Sequence, residues 1–226
     1  MLDPMSYFTP ATFAFFRSLK RHNTRDWFAD HRDRYLEVVE APMLQFIGDF
    51  APRLRRISRA YVADPRRSGG SMFRIYRDTR FSSDKSPFKT WAAARFAHEQ
   101  RRHTDSVPAF YLHVGPDEVF GGGGVYHVEM SALTRIRQHI VDASARWAAV
   151  RRTNIVIEGD ALTRAPKGFD PAHRFIEDLK RKDLFSTTEF TEREAVGKDF
   201  LDRFTAACER AAPLVEFVTK ALELRW

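Results

Sequence analysis

Between Phe28 and Leu54 the large side chains Phe28, Tyr35, Val39, Met43, Phe46, Phe50 and Leu54 recur at intervals of seven, four, four, three, four and four. A helix gathers that set on one face, so this stretch must press an apolar stripe against a core. From about Ile57 to His127 the period is lost, and β-rich pieces near 59–63, 71–77, 108–114 and 119–127 alternate with loop chemistry. Helical spacing returns after Ser131 and runs to about Arg151, with Leu133, Ile136, Ile140 and Trp147 on one side. Helices, then strands, then helices again favour an α+β fold over a doubly wound parallel sheet. The expected architecture is an antiparallel or mixed central sheet from the middle of the chain, with N- and C-terminal helices packed against it.

Local signals refine that order. Thr9 before Pro10 starts a helix that should run to about Lys20, because proline at the first helical position forfeits no hydrogen bond. Pro42 should kink or split the long second helix. Residues 91–99 read as a strand despite their alanines, and 153–158 as another. Asp170 and Pro171 should begin a helix ending near Leu184, and a last helix should span about Gly197 to Leu224, with a new turn or kink at Pro213. No composition break marks a linker, so residues 1–226 are expected to form one domain. The 43% apolar content, with 20 phenylalanines, is enough to fill its core.

No apolar run approaches the roughly 18 residues of a membrane span, and Met1 to Tyr7 has neither a basic nor an apolar leader segment. A cytoplasmic protein with no membrane partner is expected. The single cysteine, Cys208, has no internal disulfide partner and reads as a small helix residue. The 37 basic and 30 acidic residues leave a formal charge of +7, which favours steering of anions. The informative question is where the cations converge.

They converge on Ser71 to Thr90. Five cations, Arg74, Arg77, Arg80, Lys85 and Lys89, fall within sixteen residues, interleaved with serines and threonines that donate to phosphate oxygens. Alternation places Phe73 and Ile75 on one strand face and Arg74 and Tyr76 on the other. Asp78 and Asp84 offer the opposite use of the same cations, an internal salt-bridge network. A partner strand from Ala109 to Val114 should bury Phe110, Leu112 and Val114 and leave Tyr111 and His113 outward. Arg74, Tyr76, Tyr111 and His113 would then share a polar face under the 78–90 loop. There His113, Asp78 or Tyr76 would be the candidate acid or base.

Four consecutive glycines, Gly121 to Gly124, remove side chains where a backbone, a large aromatic or a ligand must approach closely. A ligand-facing version of this wall would add Gly123 and Tyr126 to the anion site. The P-loop and dinucleotide fingerprints are both absent, and no cofactor is expected. No metal is expected either, because the histidines of His98-Glu99 and His103 are five apart and diverge on a helix. Trp27 and His31 share a helix face beside Asn23 and Arg25, which packing explains nearly as well as function. His173, Lys180 and Lys182 add charge near a turn and read as a solvated face.

Several of these stretches together resemble one bacterial and fungal family, Domain of Unknown Function 2461. The resemblance rests on Phe16 to Leu19, Asn23-Thr-Arg-Asp-Trp-Phe28, Phe73-Arg-Ile-Tyr-Arg-Asp-Thr-Arg-Phe81 with Asp84-Lys85, and Pro87-Phe-Lys-Thr90. It continues through Tyr111-Leu-His113, Gly122-Gly-Gly-Val-Tyr126 and Pro166-Lys-Gly-Phe169 with His173. It covers nearly the whole chain and implies candidate positions without a mechanism.

Three functions compete at this level. The first is an enzyme or binding domain for a phosphorylated or otherwise anionic small molecule, clamped by Arg74, Arg77, Arg80, Lys85 and Lys89. The second is a nucleic-acid-binding module in which Phe73, Tyr76, Phe81, Phe88 and Trp91 stack bases between cations. The third is a protein-interaction domain without chemistry. Whether the chain is an enzyme, and its oligomeric state, are not legible from the sequence.

Overall fold

The computed structural model describes residues 6–80, 82–100 and 107–226. Helix α1 (Pro10–Arg21) starts at Thr9–Pro10 as the sequence predicts and buries Phe13, Phe16 and Leu19. It is followed by the short helices α2 (Arg25–Asp30) and α3 (Arg32–Tyr35), a wider π-turn over Leu36–Glu40, and α4 (Ala41–Ile57). The π-turn is where Pro42 makes itself felt. Proline has no amide to offer the carbonyl of Val38, and that carbonyl accepts instead from the hydroxyl of Thr12 at 2.7 Å. The helix runs on through this wider turn without splitting, its defect tied to α1, and the break between α2 and α3 falls at His31 instead.

Strands β1 (Ala92–Ala97), β2 (Ala109–Val114), β3 (Val119–Val125) and β4 (Leu184–Phe190) form one antiparallel sheet in sequence order. The fold is α+β, with helices before, within and after the sheet. Its inner face, Phe96, Phe110, Leu112, Val114 and Val119, packs into a core shared with α1, α4 and the front half of α9 (Phe200–Ala221). A second apolar cluster joins α5 (Met130–Asp142), α6 (Ser144–Arg152) and the rear half of α9 around Trp147. Here the glycines of β3 find their use. A side chain on Gly121 would sit 2.5 Å from the ring of Phe204, and one on Gly123 2.8 Å from both Phe110 and Val215. Helix α9 lies on bare backbone, the close aromatic approach that the sequence allowed for.

Several expected elements differ. Residues 59–63 and 71–77 are not strands; they meet their neighbours only through single bridges, Tyr61 to His98, Met72 to Ala94 and Tyr76 to Phe88. Residues 153–158 likewise reach the sheet only where Glu158 meets Phe185. These pieces fringe the two open edges of the sheet and cover them without extending it. The helix expected from Asp170 to Leu184 shrinks to one turn, α7 (Ile176–Leu179), and Leu184 opens β4. That strand hid because Ser186 and Thr188 occupy inward positions between Leu184 and Phe190, so no apolar alternation appears. The helix expected from Ser131 begins one residue earlier and breaks at Ala143, whereas α9 continues through Pro213. A four-residue helix, α8 (Glu192–Ala195), leads from β4 to α9. Cys208 is fully buried in α9, and burial pushes its thiol up. No helix among the described residues is long and apolar enough to cross a membrane.

Candidate functional site

The basic segment folds around two short pairings with different partners. Residues 71–73 lie against β1, where Phe73 N donates to Ala93 O at 2.9 Å. Residues 75–77 pair with 87–89, through Arg77 N to Pro87 O at 2.9 Å and Lys89 N to Ile75 O at 2.8 Å. A single alternation therefore does not run through the segment. Ile75 is buried, but Phe73 is 39% exposed and sets its ring edge-on to Tyr111 at 6.1 Å, contrary to the expected buried pair.

Most of the five cations are held by the segment itself. Arg77 pairs with Asp84 and donates to Ser86 Oγ at 2.8 Å. Arg80 reaches back to Asp78 at 2.7 Å. Lys85 Nζ donates to Thr79 O at 2.9 Å, and Lys89 Nζ to Arg74 O at 2.5 Å and Tyr76 O at 2.9 Å. Hydrogen bonds from Arg80 pull the Asp78 carboxyl down to about 2, so it stays ionised and is a weak base at neutral pH. Bonds from Ser86 and then Arg77 hold Asp84 lower still. Burial, together with Arg74 and Arg77, depresses Lys89. This is the internal network that Asp78 and Asp84 foreshadowed.

A cleft opens on one side of this network. Asn23, just before α2, clamps the backbone of Phe88: its Nδ2 donates to Phe88 O at 2.9 Å, and Phe88 N donates to its Oδ1 at 3.1 Å. The Phe88 ring stacks on Phe28 of α2, centroids 4.2 Å apart. Helix and loop are thus pinned together at the floor, and the space above them is about 770 Å³. Arg25, Arg32, Arg77 and Lys85 line it with Tyr76, and no carboxylate among the described residues does. Arg25 and Arg32 meet no side-chain partner among the described residues. They are seven apart, one at the start of α2 and one at the start of α3, and a helical reading of that spacing is the signal that could have marked them together. Arg25 stood in the sequence as part of a packing motif and Arg32 went unremarked.

The other candidates lie elsewhere. His113 is buried between the rings of Trp91 at 4.8 Å and Phe120 at 4.9 Å, the second pair nearly parallel. Burial lowers it to about 4, so it is neutral at pH 7, with Glu118 Oε1 3.6 Å from its Nε2. Tyr111 does lie beside it on the outer face of the sheet, and burial raises its phenol. Lys89 reaches over the rings of Phe73 and Trp91, which closes that face with aromatics. Gly123 points inward to the core. Tyr126 stands at the far end of the sheet, stacked on His127 at 4.0 Å beside a separate hollow of about 530 Å³. The expected single pocket is therefore divided: Tyr76, Arg77 and Lys85 are in the cleft, Tyr111 and His113 in an aromatic layer, and Tyr126 apart. His98 is buried with Nε2 2.8 Å from Arg225 O, while His103 and Phe81 lie outside the described residues.

The family model described as "Conserved hypothetical protein (DUF2461)" matches residues 11–217. The chain belongs to this family. The matched span includes α2, α3 and the whole 71–90 segment, so every residue lining the cleft lies inside it. No curated protein is similar enough to be matched with the chain.

Proposed function

We propose that this DUF2461 protein binds an anionic small molecule in the cleft between α2–α3 and residues 76–88. One observation carries the reading: four cations line a cleft that no described carboxylate lines, and two of them, Arg25 and Arg32, have no side-chain partner among the described residues. Asp84 neutralises Arg77, but Arg25, Arg32 and Lys85 have no carboxylate partner among the described residues, and a bound anion would supply one. Arg25 and Arg32 are the clamp. Arg77 and Lys85 are the wall, oriented by Asp84 and the carbonyl of Thr79. Of the three candidate acid–base residues only Tyr76 lines the cleft, so the support is for binding before catalysis. A nucleic-acid surface is the weaker reading. Phe88 is spent in its stack on Phe28, and Lys89 is spent on backbone carbonyls.

The test is titration calorimetry at low salt with pyrophosphate as the probe. Arg25→Ala/Arg32→Ala should weaken binding at least tenfold while leaving the melting temperature of the free protein unchanged. Arg203→Ala/Lys220→Ala, which likewise removes two charges, each paired with a carboxylate at α9 and neither lining the cleft, should bind as the native chain does. Equal weakening by both variants would reduce the effect to net charge and refute the cleft.

A further inference from the structure

Tyr76 is the anomaly of the cleft. Three rings run in file from core to surface: Phe28, buried; Phe88, 3% exposed; and Tyr76, 61% exposed. Phe28 and Phe88 stack at 4.2 Å, and Phe88 meets Tyr76 at 5.4 Å with a tilt of 45°. Among the described residues Tyr76 touches no other ring, and its hydroxyl has no hydrogen-bond partner. Its backbone is fixed by the pairing with Phe88, so the ring is presented on a rigid support. Its packing on Phe88 uses one side of the ring, and the rest of this large aromatic stays open to solvent. In a cleft lined by four cations it is a platform for a second, planar group.

Resting on the anion-binding reading above, we infer that the ligand is a phosphate ester carrying a planar aromatic ring, the chemistry of a nucleoside phosphate. The phosphate lies against Arg25 and Arg32, and the ring lies on Tyr76. A phosphomonoester carries about −1.5 to −2 charges at neutral pH, which suits several cations better than a single carboxylate does. Arginine forks take its oxygens in pairs. The grip comes from side chains, which agrees with a sequence that has no glycine-rich phosphate loop.

Adenosine 5′-monophosphate, uridine 5′-monophosphate and ribose 5-phosphate, titrated in parallel at one low salt concentration, separate the two layers of the argument. Both nucleotides should bind more tightly than ribose 5-phosphate, by about five- to 150-fold if one stacked base contributes what it does elsewhere. Tyr76→Ala should erase that difference and leave ribose 5-phosphate binding in place; Tyr76→Phe should keep it. If all three ligands bind alike, or Tyr76→Ala weakens them equally, the ring platform is wrong and the anion cleft stands. If none binds, the anion reading itself fails. Affinity for oligoadenylate that climbs with length and falls steeply with salt would overturn the small-molecule class in favour of single-stranded nucleic acid.

Discussion

The cleft depends on one side chain for its shape, and Asn23→Ala is the perturbation that exposes this. Because residues 75–77 pair with 87–89 through the amide of Lys89 and the carbonyl of Pro87, the backbone groups of Phe88 point away from that pairing. Both are received by the amide of Asn23, at 2.9 and 3.1 Å. Alanine removes the donor and the acceptor together and leaves an N–H and a C=O beside a ring that is nearly inaccessible. Two net hydrogen bonds are worth about 1–3 kcal/mol, and each backbone group left dry would cost about 1–3 kcal/mol. Water entering from the cleft recovers part of this, so about 2–4 kcal/mol is the expected loss. For a chain of this size that is a fall in melting temperature of about 4–16 °C. Urea unfolding by fluorescence measures it, with the slope against denaturant unchanged. Asn23→Asp keeps the acceptor for Phe88 N–H but sets a carboxylate against Phe88 O, so it should cost at least as much as alanine. A loss below about 0.5 kcal/mol for Asn23→Ala would mean that the clamp is ornamental. The Phe28–Phe88 stack alone would then have to hold helix and loop together.

Two further perturbations follow from the sheet. Gly121→Val puts a branched side chain where the Phe204 ring already lies 2.5 Å from a single added carbon, so α9 must lift. A destabilisation of at least about 1–3 kcal/mol, or loss of soluble protein, is expected in chemical denaturation. His113, lowered to about 4 by burial from an ordinary 6.5, stays neutral in the fold while the unfolded chain takes up a proton. Its contribution is therefore complete above pH 6.5 and lost as pH falls from 6.5 to 4. His139, depressed first by its burial, acts in the same direction. Comparing unfolding midpoints of the native protein and His113→Phe across that window should show a shallower decline in the variant. Parallel curves would contradict it.

What the sequence made legible, and what it hid, follows from the range over which each signal acts. The stripe from Phe28 to Leu54, the outward Tyr111 and His113, and the bare glycines of β3 are periodic or local, and the structure keeps them. Strand β4 was hidden because serine and threonine stand at inward positions, opposite the glycines against which α9 packs closely. The basic segment misled for a more general reason. Cations that crowd a non-helical loop have acids within reach of a bend: Asp78 is two residues from Arg80 and Asp84 seven from Arg77, and both pairs close. In a helix the same proximity forbids pairing. Arg25 is followed by Asp26 and Arg32 by Asp33, yet adjacent helical side chains point in different directions. Arg34, by contrast, finds Glu37 three residues on, at 2.7 Å. A run of mixed charge thus conceals its spare cations in the helices, where an acid next in sequence is not next in space. Arg25 and Arg32, seven apart and both lining one cleft, are two such charges.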